Sequence, residues 1–239
     1  MNRLTIAIPT FRRPQDLKRA VSGVLEQAGE LVGGSSAEAR EPEGDAAGAA
    51  DTDGGAGRGV SDVEVLVIDN DAQGTGHEAA LAAAADAGVP VRSSAETPEG
   101  PGVVGLRYVI EERPGVAAVR NRALDETGGR DLLVFIDDDE EPEPGWLAAL
   151  VGLWASTGCQ AVAGPVIPVY EVEPETWVRQ GEFFVRRTWP TGTVRPVAAS
   201  NCLLLDLGFV RRAGLRFDEA FGATGGEDTL FTRRLSAAG

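Results

Sequence analysis

The chain has 239 residues and carries 37 Asp and Glu against 22 Lys and Arg, a formal net charge of -15. That length holds one large α/β domain, and that charge repels phosphate backbones, which excludes nucleic acid; a polyanionic ligand can bind only where arginines or a cation reverse the sign locally. Two cysteines, Cys159 and Cys202, are too few for a disulfide scaffold and read as buried thiols, while the sole histidine, His77, and the sole lysine, Lys18, lack the surroundings for triad or Schiff-base chemistry.

Leu4 to Ile8 is a short apolar β-type run closed by Pro9-Thr10, and Leu17, Ala20, Val21, Val24 and Leu25 then repeat with helical spacing. The amino end lacks the long apolar region of a secretory signal, and no apolar stretch is long enough to span a bilayer. The expectation is a cytoplasmic chain, free or peripheral to the membrane, with no transmembrane segment. From 29 to 62 the composition shifts to Gly, Ala, Ser, Glu and Asp with few large apolar residues, which predicts a disordered surface insertion.

Val63 to Ile68 is a nearly continuous apolar strand of the kind buried on both faces of a parallel sheet, and it ends in Asp69-Asn70-Asp71. An Ala-rich helix from His77 to Ala87, a strand from Leu106 to Ile110, a helix from Gly115 to Thr127 and a strand from Asp131 to Ile136 follow. That last strand terminates in Asp137-Asp138-Asp139-Glu140-Glu141, and the next helix carries Trp146, Leu147, Leu150, Val151 and Trp154 on its apolar side. After Ala161 to Val166 the alternation weakens. Residues 167 to 197 mix Tyr170, Trp177, Phe183, Phe184 and Trp189 with Arg and Pro, and read as an acceptor-side excursion. A strand from Ala199 to Leu205 and a closing helix from Asp228 to Ala238 complete the chain. Strands alternating with helices predict a single domain, 1–239, built on an open, mainly parallel sheet with right-handed crossovers, whose ligands sit at the carboxyl ends of the strands.

The acidic cluster after Ile136 is the strongest chemical signal. In an extended segment Asp137 and Asp139 point the same way, with Asp138 between them, and two carboxylates at a strand end suit Mg²⁺ or Mn²⁺ completed by water and substrate phosphate. An arbitrary acidic run is a solvated turn, but this one is fused to a buried-type strand, where repulsion calls for a cation. Gly225-Gly226-Glu227-Asp228 opens the last helix. Its acids serve either as first-turn charges or, near a metal-bound diphosphate, as a general base, with Asp228 the first choice and Glu227 orienting the acceptor or capping the helix. Pro9-Thr10 and Asp69-Asn70 are strand ends that offer contacts to a base or ribose, or simply turn chemistry. Arg12-Arg13 and Arg120-Asn121-Arg122 can meet donor phosphates, although exposed helix ion pairs are the commoner fate of such arginines. Gly74-Thr75-Gly76 lacks the third glycine of a dinucleotide fingerprint. Trp146 and Trp154 read as core, whereas Trp177 and Trp189 can stack on an acceptor ring.

Ile6-Ala7-Ile8-Pro9-Thr10-Phe11-Arg12-Arg13, Val67-Ile68-Asp69-Asn70, Pro114-Gly115-Val116-Ala117-Ala118-Val119-Arg120-Asn121, Phe135-Ile136-Asp137-Asp138-Asp139 and Gly226-Glu227-Asp228 together resemble family 2 glycosyltransferases in order and spacing. The resemblance covers nearly the whole chain outside the insertion. It implies a GT-A fold, a nucleotide-diphosphate sugar donor, a divalent metal, Mg²⁺ or Mn²⁺, and inversion at the anomeric carbon, with a carbohydrate, lipid-linked or small-molecule acceptor. Asp69 then resembles the nucleotide-binding acid, Asp137 and Asp139 the DXD metal motif, and Asp228 the base. Pro9, Thr10, Arg13, Arg120, Asn121 and Asp138 fall along the donor pocket. The sequence departs from the pattern in its acidic insertion and in stopping just after the Glu-Asp helix. A sugar-nucleotide pyrophosphorylase shares a similar core but calls for a Gly-rich basic loop after the first strand, which Pro9-Thr10-Phe11-Arg12-Arg13 does not provide. A catalytically impaired carbohydrate- or nucleotide-binding form of the same fold is the other alternative, and the intact acids speak against it.

Overall fold

The computed structural model describes residues 1–34, 59–92, 102–221 and 225–239. Strand β1 (Asn2–Thr10) leads into helix α1 (Pro14–Gly34); then come β2 (Val60–Asp69), α2 (His77–Asp86), β3 (Val91–Arg92), β4 (Val103–Ile110), α3 (Val116–Glu126) and β5 (Leu132–Ile136). Helix α4 (Trp146–Thr157), β6 (Ala161–Ala163), α5 (Thr176–Gly181), β7 (Cys202–Asp206), α6 (Leu207–Arg212) and α7 (Glu227–Ala238) complete the order. The strands form one sheet, β3-β4-β2-β1-β5-β7-β6. Neighbours from β3 to β5 run parallel, and β7 is antiparallel to both β5 and β6. This is the open, mainly parallel α/β sheet the alternation predicts.

Both faces of the central strands are apolar because both are covered. Leu4, Ile6, Ile8, Val63, Val65, Val67, Val134 and Ile136 face the core shared with α1, α2 and α4. Ala7, Leu66, Ile68, Leu133 and Phe135 face a second core with Ala117, Val119, Phe217 and Phe231. With alternate residues buried on opposite sides, these strands lose the polar alternation of a half-exposed sheet.

Several expected boundaries move. Helix α1 continues past Gly29 because Ala28 and Val32 extend its buried stripe. Strand β2 starts at Val60, fastened where the Asn2 amide donates to the Gly59 carbonyl at 2.7 Å. The expected insertion at 29–62 therefore loses both ends to regular structure, and its middle, 35–58, lies outside the described residues. Strand β7 begins at Cys202 rather than Ala199, and β3 and α6 are elements the sequence pattern did not mark. Cys202 is buried, whereas Cys159 is only partly so.

Near the amino end of the sheet, on the face toward α3, lies a buried ion network. Arg107 Nε donates to Glu64 at 3.0 Å and its guanidinium also pairs with Glu126, while Arg130 pairs with Asp62. Asp62, Glu64, Arg107 and Arg130 are each under 5 % exposed. Glu64 sits between Val63 and Val65, and its buried partners come from β4 and the turn before β5, so the local pattern gives no sign of the pairing.

Candidate active site

The parallel strands end together. Thr10 is level with Asp69, and Asp69 with Ile110; Ile136 pairs with Cys202 at the start of β7. The predicted strand-end residues thus share one edge of the sheet.

The acidic run does not continue β5 as an extended segment. The Glu140 amide donates to the Asp137 carbonyl at 3.2 Å, which closes a turn. The expected alternation, with Asp137 and Asp139 on one side and Asp138 on the other, is therefore corrected, because i and i+2 share a side only in extended backbone. Arg13 gathers Asp138 and Asp139 instead, donating from one Nη1 at 3.3 and 2.7 Å. Asp138 is buried and also accepts from the Thr10 hydroxyl at 2.7 Å. Thr10 and Arg13 thus reach the acidic turn through Asp138, whereas Pro9 makes no hydrogen bond to it among the described residues. Glu140 is tied to the residue before β7, Asn201, whose Nδ2 donates to it at 2.5 Å.

Asp137 faces a different cation. Arg120 Nη2 lies 3.7 Å from Asp137, and Arg120 Nη1 donates to Glu227 at 2.5 Å. Arg120 and Glu227 are both buried, so this is not the exposed helix pair that sequence statistics favour. One guanidinium therefore spans 107 residues of sequence and brings the first turn of α7 to the same end of the sheet as the acidic turn. Glu227 Oε2 is buried and has no hydrogen-bond partner among the described residues. Asp228 is half-exposed in that same first turn and, among the described residues, has no basic partner.

Other predicted contacts are held by the protein itself. Asp69 is fully buried: one oxygen accepts from the Asp71 amide, the other from the Gly76 amide at 2.8 Å and from Tyr108 Oη at 2.5 Å. Its immediate role is to shape the loop from β2 to α2, which is why Gly76 has no room for a side chain: a Cβ there would lie 2.8 Å from Leu17 and 3.0 Å from Asp69. Asn70 clamps the start of α3 by accepting from the Gly115 amide and donating to the Glu111 and Arg113 carbonyls. Asn121 exchanges two hydrogen bonds with the Phe217 backbone and does not reach the turn. Tyr108 and Asn201 were missed by sequence reasoning. Tyr108 carried a signal, a polar-tipped aromatic near a strand's carboxyl end, and Asn201 carried none.

Burial raises the Asp137 carboxyl above its ordinary range; Arg120 opposes this, Asp139 and Asp138 add to it, and Arg186 opposes it more weakly. Burial likewise raises Asp138 despite the Thr10 hydrogen bond and Arg13. Glu140 is pushed up to about 7, first by burial and then by Asp137. The turn therefore holds more negative charge than Arg13 and Arg120 neutralise. No group of three or more Asp, Glu, His or Cys among the described residues makes a closed metal cage. A cation at a diphosphate needs only one or two carboxylates, with phosphate oxygens and water completing the shell. Asp139 and Asp137, 55 % and 35 % exposed, are the open hard-oxygen donors at this edge, and because one carboxylate suffices the residues present fit Mg²⁺ or Mn²⁺.

The family description Glycosyl transferase family 2 matches residues 56–206, more than half of the chain. The chain belongs to glycosyl transferase family 2. The matched stretch includes Asp69, Arg120, the acidic turn and Asn201; Pro9 to Arg13 and Glu227-Asp228 lie outside it. Among curated relatives of this family 2 chain, the succinoglycan biosynthesis protein ExoM of Rhizobium meliloti (strain 1021) is 35% identical over 140 residues, covering 56% of this chain and 43% of ExoM. The S. aureus TarS 1-349 structure in complex with UDP superposes with a TM-score of 0.55 at 13% identity, over 98% of this chain and 55% of that one. The mannosyltransferase PcManGT of Pyrobaculum calidifontis, in complex with GDP-Man and Mn²⁺, gives 0.56 at 17% identity, over 97% and 50%. These likenesses show the glycosyltransferase GT-A fold. The chain spans about half the length of these proteins. Among the described residues no helix is long and apolar enough to cross a membrane.

Proposed function

We propose that this family 2 chain transfers a sugar, with inversion, from a nucleotide-diphosphate donor to an acceptor hydroxyl. The observation that carries the reading is the Arg120 guanidinium, 3.7 Å from Asp137 and hydrogen-bonded to Glu227, which sets the metal-type acids and the Glu227-Asp228 turn at one end of the sheet. The match to the family and the nucleotide-bound state of the TarS and PcManGT structures support the donor class.

Asp137 and Asp139 would hold Mg²⁺ or Mn²⁺, which when bound supplies positive charge to the departing diphosphate. Arg13, beside Asp138 and Asp139, adds a second cation at the same edge. Glu227 is buried and engaged with Arg120, which closes it to an acceptor hydroxyl. Asp228 is the better base. Its carboxylate takes the proton of the acceptor hydroxyl, the hydroxyl oxygen forms the new bond to the anomeric carbon, and the bond from that carbon to the diphosphate oxygen breaks. Attack and departure on opposite faces invert the configuration. Asp69 shapes the donor-side loop in the unliganded chain, and a base or ribose contact would exchange its Tyr108 hydrogen bond for one from the nucleotide.

Calorimetry with UDP and with GDP, each with and without Mn²⁺, tests donor binding; binding that depends on the cation is expected, and failure of both nucleotides under both conditions would sink the reading. Asp228→Asn should bind nucleotide as wild type does while the rate of transfer falls by roughly a hundredfold or more. Wild-type turnover in that variant would move the base elsewhere.

A further inference from the structure

Ten of the fourteen exposed large apolar side chains among the described residues lie between Ile167 and Val194. Val169 and Val194 are more than nine-tenths exposed, Phe183 is 66 % exposed and Trp177 is 62 % exposed. The excursion packs on itself, with Trp177 against Phe183 and Tyr170 against Phe184, rather than into either core. Apolar exposure concentrated in this way marks a contact surface.

Taken whole, residues 167–197 are neutral, four arginines against Glu171, Glu173, Glu175 and Glu182, but the positive charge is gathered in the second half. Between residues 179 and 197 stand four arginines, Arg179, Arg186, Arg187 and Arg195, against one acid, Glu182, in a chain of net charge -15. Arg179 pairs with Glu173, and Arg195 lies over the Trp189 ring at 4.1 Å. Arg186 and Arg187 are exposed and, among the described residues, make no ion pair, although Arg186 is near enough to act weakly on Asp137. Unpaired arginines interleaved with Trp, Phe and Tyr match a surface with phosphates above and hydrocarbon beneath: the guanidinium meets the phosphate while the ring sits at the boundary.

We infer that the 179–197 stretch of the excursion docks this chain on an anionic lipid surface, through Phe183, Phe184, Arg186 and Arg187. A second copy of the chain is a poorer occupant, because a symmetric contact would set the arginines of 179–197 against themselves and the excursion offers only the six-residue α5 as regular structure. Repulsion between the acidic body and the membrane is screened beyond about 8 Å at physiological salt, so the contacting segment decides the sign. The docking would also place the candidate site at the lipid. The excursion leaves from β6 and returns at Cys202, beside Ile136 and the acidic turn.

The test needs no sugar donor, so it stands or falls apart from the transfer reading. The full chain is sedimented with phosphatidylcholine vesicles with and without phosphatidylglycerol, and the emission of its tryptophans is followed. Binding to the anionic vesicles alone, with a blue shift that high salt reverses, is expected. Phe183→Ser/Phe184→Ser and Arg186→Glu/Arg187→Glu should each weaken that binding by roughly tenfold or more, with thermal unfolding unchanged because all four side chains are exposed. Three results would overturn the inference: no preference for anionic vesicles, retained binding in both variants, or dimers in light scattering without lipid that the variants abolish. Inorganic phosphate at millimolar levels should not displace the chain from the vesicles; full displacement would reassign the arginines to a soluble phosphate compound.

Discussion

At the amino end of the sheet Asp62 and Glu64 are buried against Arg130 and Arg107, whereas at the carboxyl end Asp137, Asp138, Asp139 and Glu140 have, among the described residues, ion pairs from Arg13 and Arg120 and a weaker influence from Arg186. The first set is closed: each acid has a cation from another strand or turn, and water is excluded. The second is open, partly exposed and in excess of its counter-charge. Buried charges matched within the chain belong to stability, because removing one strands its partner in a low dielectric. Charges left in excess at a ligand-binding edge belong to function, because their compensation must come from outside.

That contrast can be broken first at the closed end. Arg107→Ala leaves Glu64 and Glu126 without their shared cation and is expected to lower unfolding free energy by about 3–5 kcal/mol in urea titration. A loss under about 1 kcal/mol would mean the network is not dry. At the open end, Asp139→Ala should leave stability nearly unchanged, since its side chain is more than half exposed. Cation-dependent nucleotide binding should fall by roughly tenfold or more, about 1.4 kcal/mol; unchanged calorimetric affinity would remove Asp139 from the metal site.

The smallest effect sharpens the comparison through pH. Burial, and then Asp137, hold Glu140 at about 7 against an ordinary 4.5, so the folded chain keeps a proton that the unfolded chain has released. The Glu140 contribution to stability is therefore fully present below about 4.5 and is lost as pH rises from there through about 7. Glu140→Gln should flatten that part of the curve of unfolding temperature against pH. An unaltered slope would assign it to other groups.

The edge of the site was legible because strands announce themselves locally. Ile6 to Thr10, Val65 to Asp69 and Leu132 to Asp137 each show where an apolar run stops and a polar residue begins, and in a parallel sheet these stops align. Asp228 and Glu227 were legible as helix-opening acids, but the partner of Glu227 was not. Arg120 looked like a surface arginine because its neighbours in α3 carry no mark of what α7 brings against them. Asp69 looked like a ligand contact, yet Tyr108 and Gly76 already occupy it, one from the neighbouring strand and one from seven residues on.

From the sequence alone came the α/β class, the parallel core, the edge where the strand ends meet and the acids placed along it, all of which follow from periodicities and strand ends a few residues long. Tertiary structure decided which of those charges are spent inside the protein and which remain open to a ligand. Pairings such as Arg120 with Glu227 or Arg107 with Glu64 join residues that only folding makes neighbours, and the energy of a charge depends on those neighbours and on the exclusion of water rather than on its place in the chain.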